Sequence, residues 1–186
     1  MDAPDLAHDT ATATGSRFDR CLAAILRDRN GYEPDVDGPT NHGISQRLYD
    51  RFRESRALPL REVWGIEFRE VESIYRTCFW EPAHAGEIPA PLDRLVFECA
   101  VESGPRWAIQ TLQQALHLGR DGIFDRRVRR KLEVCDRKAV ALEFLRFRKE
   151  FCRDLFGRHP ECGRVFAHRM DRMDHLIAGF EQAPIA

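Results

Sequence analysis

The sequence lacks a long apolar run, which argues against a membrane span. It also lacks any CxxC pair, which argues against a zinc or thioredoxin-type site. No apolar stretch approaches the length of a membrane span, so no span is expected. The scattered cysteines give no zinc or thioredoxin-type spacing, and we expect neither a bound metal nor a cofactor. They are expected to act as small buried apolar residues in a reducing compartment. These six are Cys21, Cys78, Cys99, Cys135, Cys152 and Cys162.

The N-terminus also lacks the features of a secretion signal. It reads MDAPDLAHDTATATG, which is acidic and has neither a basic start nor an apolar segment. We therefore expect residues 1–15 to form a flexible tail and the chain to be cytoplasmic as synthesised. A role at the cell wall would require delivery to the periplasm by a holin or by a specialised secretion route.

No stretch of useful length alternates apolar and polar residues as a β-strand does, and no internal repeat is found. Apolar residues instead recur at helical spacing, as in Phe18, Cys21, Leu22 and Ile25, which predicts an all-α fold. Ser16 and Asp19 form a capping box at the start of that first helix, and Gly31 is the expected stop. Seven more helices are predicted: to about Arg56 after Ser45, about 67–79, about 92–103, from Pro105, a basic helix at 126–131, about 136–156, and after Pro160.

The charge of the chain is balanced overall but not along its length. Net charge is −1, whereas residues 1–119 hold 13 Lys/Arg against 19 Asp/Glu and residues 120–186 hold 16 against 11. Five of the basic residues fall together in the helix from Arg126 to Lys131. A basic helix favours polyanions, although a solvated helix face explains it equally well.

An acidic loop follows the first helix and leads into a short motif. The loop holds Glu33, Asp35 and Asp37 between Pro34 and Pro39, and Thr-Asn-His-Gly-Ile-Ser follows at 40–45. This arrangement resembles the N-terminus of glycoside hydrolase family 108, the lysozyme-like N-acetylmuramidases also called secretion activators. In the family, a Glu-Gly-Gly-Tyr helix end carries the catalytic Glu; here Arg29 stands at that position.

The resemblance continues along the chain. Phe79-Trp80 is similar to a Tyr-Trp pair of the family, and residues 97–104 to its Phe-Asp-x-Ala-Val-Asn-x-Gly segment, with Glu102 in place of the Asn. From Leu118 onward the chain resembles the putative peptidoglycan-binding region that closes these proteins. The resemblance implies a lysozyme-like helical domain over 16–117 and a helical peptidoglycan-binding-like region over 118–186.

Hydrolysis of a glycosidic bond needs an acid that protonates the leaving oxygen, which a guanidinium cannot do near neutral pH. Two neighbouring acids could substitute for the missing one. Asp28 precedes Arg29 by one residue, a rotation of about 100° on a helix, and would point away from the cleft, so Glu33 is the better candidate. Asp35 and Thr40 are spaced like a water-positioning pair, although a solvated loop and a helix cap explain these residues as well. The resemblance implies further contacts to the glycan, from Tyr32, Asn41, His42, Trp80, Glu98 and Glu102.

Three functions are therefore open. A divergent family member binds the glycan strands of peptidoglycan, or a protein partner in a phage or secretion assembly, with lost or impaired glycosidase activity. An active muramidase uses a relocated acid such as Glu33. A polyanion or nucleic-acid binder uses the basic helix 126–131, and this third reading ranks well behind the other two.

Overall fold

Eight α-helices form most of the part of the chain that the computed structural model describes, residues 15–27, 29, 31–33, 38–158 and 163–182. The first four are α1 (Arg17–Leu26), α2 (Gln46–Glu54), α3 (Phe68–Tyr75) and α4 (Leu92–Ser103). The remaining four are α5 (Pro105–Ala115), α6 (Arg126–Val134), α7 (Arg137–Arg158) and α8 (Gly163–Gln182). The predicted all-α class is confirmed. The third predicted helix is shorter than expected, because a π-helical turn, Arg76–Trp80, follows α3.

A small antiparallel sheet, which the sequence did not predict, lies between α1 and α2. Its strands are β1 (Tyr32–Glu33), β2 (Thr40–Asn41) and β3 (Ile44–Ser45), in the order β1-β2-β3. Glu33 pairs with Thr40, and Thr40 pairs in turn with Ser45. Strands of two residues are too short for any alternation of apolar and polar residues to be recognised.

The first helix begins as predicted but ends earlier. The Asp19 carboxylate accepts a 2.8 Å hydrogen bond from the Ser16 amide, and both halves of the capping box are present. The prediction that Gly31 ends this helix is wrong. The helix stops at Leu26, where the Arg29 amide donates to the Leu26 carbonyl over 3.1 Å in a tight turn, and Gly31 with φ of 87° lies beyond it. Arg29 is therefore outside the helix.

Two groups of buried apolar side chains form the core, and α4 contributes to both. One group joins α1, β3, α2 and α3 through an aromatic cluster in which Trp80 meets Phe97 at 5.1 Å and Phe18 at 5.5 Å between ring centroids. The other joins α4 and α5 to α6, α7 and α8. Within the described residues, no helix is both long and apolar enough to cross a membrane. The proposed boundary between residues 117 and 118 stays a prediction.

The aromatic cluster generates a test of whether Trp80 serves the core. Trp80 is 6% exposed, whereas Trp64 is 68% exposed. We expect Trp80→Ala to lower the free energy of unfolding by about 3–5 kcal/mol through the cavity that it leaves. The matched Trp64→Ala change should stay within about 0.5 kcal/mol. Chemical denaturation measures both, and equal effects would contradict the assignment of Trp80 to the core.

Candidate functional site

Arg29, at the position of the expected acid, points into the protein. Its Nη2 lies 3.4 Å from Oε1 of Glu102, and its side chain is 22% exposed. The side chain passes over Gly43, since a Cβ at that glycine would come within 2.7 Å of Arg29 Cδ. Gly43 also has φ of 73°, so two constraints favour glycine at this place in the Thr-Asn-His-Gly-Ile-Ser motif.

Glu102 is the centre of a buried cluster of charges. Its other oxygen, Oε2, accepts a 2.8 Å hydrogen bond from Arg148 Nη2, and Arg169 Nε approaches the same oxygen at 4.0 Å. Burial by itself raises the pKa of Glu102, but the positive charges of Arg148, Arg169 and Arg29 more than offset it. The pKa therefore lies below its ordinary value, and Glu102 is a carboxylate at neutral pH.

Glu98, one helical turn earlier on α4, belongs to the same cluster. It is 1% exposed and accepts a hydrogen bond from Arg172, while its Oε2 lies 3.8 Å from Arg148 Nη1. Two glutamates of α4 are thus joined to arginines of α7 and α8 and to the segment after α1. Both carboxylates are directed into the protein and away from solvent.

The motif beside Arg29 is held by hydrogen bonds of its own. Asn41 is buried, and its Nδ2 donates to the carbonyls of Val63 and Trp64 over 3.2 and 3.1 Å, which fixes β2 to the following chain. His42 has φ of 51°, and its carbonyl accepts a 2.8 Å hydrogen bond from Tyr75 Oη. Burial raises the pKa of Tyr75 to about 12, so this phenol stays protonated as a donor.

The predicted site residues fall into three groups. Asn41 and His42 precede Gly43, which lies against the Arg29 side chain, and Glu98 and Glu102 belong to the charge cluster on α4. Trp80 instead lies in the aromatic cluster of the core. Thr40 pairs with Glu33 in the sheet, but the side chains of Tyr32 and Glu33 are outside the described part of the structure, and Asp35 lies outside the described residues altogether.

Four residues of this region were not predicted as site residues from the sequence: Tyr75, Arg148, Arg169 and Arg172. Arg148 is 6% exposed, and Tyr75 is fully buried. A signal for Arg148 was present, because Phe144, Arg148 and Cys152 follow one another at four-residue spacing on a single helix face. An arginine on an otherwise apolar face indicates a buried acidic partner, since an unpaired buried charge is costly.

The basic helix α6 is partly neutralised by nearby acids. Arg127 forms ion pairs with Asp121 and Asp125 at 2.6 and 2.8 Å, and Arg129 pairs with Glu87 at 2.7 Å. These contacts reduce the positive charge that α6 offers to a polyanion. Among the residues that the structure describes, no group of three His, Cys, Asp or Glu side chains is arranged to hold a metal ion.

Comparisons with known proteins agree with the resemblance seen in the motifs. A family model described as glycosyl hydrolase 108 matches residues 27–104, a range that contains Arg29, the sheet and Glu102. A solved structure described as the structure of Brucella abortus SagA has a TM-score of 0.73 and 20% identity, over 89% of this chain and 96% of that chain. This likeness supports the predicted lysozyme-like fold. No match was found among curated proteins.

The buried cluster predicts a specific dependence of stability on pH. Because the pKa of Glu102 is lowered by folding, its stabilisation is complete above the ordinary value of 4.5 and is lost as pH falls through the folded value. We expect Glu102→Gln to lower the free energy of unfolding by roughly 3–5 kcal/mol at pH 7, since buried arginines lose their partner. The difference from the wild type should shrink in acid.

Denaturation at pH 7 and below pH 4.5 measures this difference. Glu133→Gln on the exposed side of α6 is the matched control and should show no such dependence. A loss for Glu102→Gln that stays constant with pH would contradict an ionised Glu102.

Proposed function

We propose that this chain, which belongs to the glycosyl hydrolase 108 family, binds the glycan strands of peptidoglycan without hydrolysing them. The observation that carries the proposal is the Arg29–Glu102 ion pair at 3.4 Å, which occupies the position of the family acid. The family is peptidoglycan-directed, and the fold of the family is present. The residue that donates the proton differs: the family has a Glu at the position of Arg29.

The chemistry of glycoside cleavage supports the absence of turnover. A general acid must hold a proton near neutral pH, and enzymes achieve this by raising the pKa of a carboxyl group. Arg29 has no transferable proton at this pH. Glu102 is the nearest acid in the cluster, but its pKa is lowered by three arginines, so it carries no proton to transfer.

The ion pair also explains why the two departures from the family pattern occur together. The family has Glu and an amide at these positions, while this chain has Arg29 and Glu102. A carboxylate at position 29 would lie beside Glu102, and two adjacent buried carboxylates repel. The substitutions are therefore a compensated pair, and reverting one of them alone is unfavourable.

One observation favours the alternative of an active muramidase. The backbone of Glu33 pairs with the backbone of Thr40 across β1 and β2. An acidic residue and a hydroxyl residue therefore occupy paired positions of the sheet. If Glu33 is the acid, purified peptidoglycan should yield reducing sugars, and Glu33→Gln should abolish their release.

Binding without cleavage is tested with purified peptidoglycan sacculi. We expect the protein to sediment with sacculi, because the family fold is retained, and to release no reducing sugars above the buffer background. An active lysozyme serves as the positive control for release. Failure to sediment would contradict the proposed binding, and release that depends on Glu33 would establish the active alternative.

Restoring the family pair tests the reason for inactivity. We expect Arg29→Glu/Glu102→Asn to release reducing sugars at least about tenfold above the wild type, since a general acid contributes about 10²–10⁴ in rate. Arg29→Gln/Glu102→Asn is the matched control, which has the same shape and no carboxyl group.

Circular dichroism and thermal unfolding establish that each variant is folded. A folded Arg29→Glu/Glu102→Asn protein that is as inactive as its Gln control would contradict the assignment of inactivity to position 29.

A further inference from the structure

A pocket separate from the Arg29 region lies between α5, α7 and the loop that precedes α6. It has a volume of about 170 Å³, and three aromatic side chains, Trp107, Phe147 and Phe151, line it. The Trp107 and Phe151 rings are 4.3 Å apart between centroids at 35°. The pocket lies outside the range 27–104 that the family model matches.

Charged side chains of both signs surround these rings. Arg120 lies on one side with its guanidinium 5.2 Å from the Trp107 ring centroid, and Glu150 and Asp154 line the pocket from α7. Across the described part of the chain, none of these three side chains forms an ion pair. All three side chains are exposed, so their charges are available to a ligand.

We infer that this pocket binds the zwitterionic end of an amino acid, an ammonium and a carboxylate on one carbon. Glu150 and Asp154 would receive the ammonium, which also gains from the neighbouring aromatic faces. Arg120 would receive the carboxylate, a pairing that guanidinium geometry favours. The volume accommodates such a group together with a short aliphatic chain.

The charges favour a ligand that carries both signs. A polyanion would meet two carboxylates, and a simple cation would meet Arg120. A neutral sugar would stack on the aromatic faces and hydrogen-bond to these side chains, but it would neutralise none of the three charges. The zwitterion offers an opposite charge to both the arginine and the acids.

The source of this ligand rests on the proposed function, because the stem peptides of peptidoglycan include diamino acids with a free zwitterionic end. Free amino acids have the same chemistry. The experiment therefore separates recognition of the group from recognition of the polymer.

Three small probes test the recognition on the full chain: diaminopimelate, pimelate without the ammonium groups, and cadaverine without the carboxylates. Calorimetric titration measures affinity, and the chemical shift of the Trp107 indole N–H reports on the pocket. We expect diaminopimelate to bind at least about tenfold more tightly than either analogue. No binding of diaminopimelate at millimolar concentration, or equal binding of all three probes, would overturn the inference.

Variants identify which charge meets which group. Arg120→Gln should weaken diaminopimelate binding at least tenfold without weakening cadaverine binding, and Glu150→Gln/Asp154→Asn should do so without weakening pimelate binding. Arg130→Gln and Glu133→Gln, exposed positions on α6, are the matched controls and should change nothing. Equal losses for every probe, or equal losses in the controls, would indicate altered structure and overturn the assignment.

Sedimentation with sacculi separates this inference from the proposed function. If the wild type sediments and the pocket variants sediment equally well while diaminopimelate fails to bind, the pocket inference fails and the proposed function stands. If diaminopimelate binds with the expected charge dependence but the wild type does not sediment, the proposed function fails and the pocket inference stands.

Discussion

The interaction on which this structure depends is the contact of Glu102 with Arg29 and Arg148. A charge buried away from water is tolerated only with a partner, and Glu102 is the partner of two arginines from distant parts of the chain. It joins the segment after α1 to α4 and α7. The same contact also links the sheet to α4, because the Arg29 side chain passes directly over Gly43.

The stability of this cluster and the chemistry of a glycosidase place opposite demands on one carboxyl group. A general acid needs a raised pKa, which burial in apolar surroundings provides. The arginines that make Glu102 tolerable in the interior lower its pKa instead. Stabilising the carboxylate therefore leaves Glu102 without a proton at neutral pH.

The helices and the capping box of Ser16 were predictable because each depends on residues that are close together in the sequence. Arg29 was recognised as a departure from the motif, but its pairing with Glu102 was not predicted, because the two residues are far apart in sequence and meet only in the folded chain. The early end of α1 and the two-residue strands depend on single hydrogen bonds and turns, which leave no periodic signal. An acidic residue can either line a binding site or pair with arginines inside the core, and the sequence does not distinguish the two. The Glu98 and Glu102 cluster shows in this way why site roles are harder to predict than helices.

A protein that binds without cutting gains from contacts that would not help a hydrolase. Binding substrate and transition state equally well lowers KM without raising kcat, so extra ground-state contacts do little for turnover. For a binder, each such contact adds directly to affinity. A pocket such as that of Trp107 and Phe151, away from the Arg29 region, is thus easier to explain in a chain selected for binding than in one selected for cleavage.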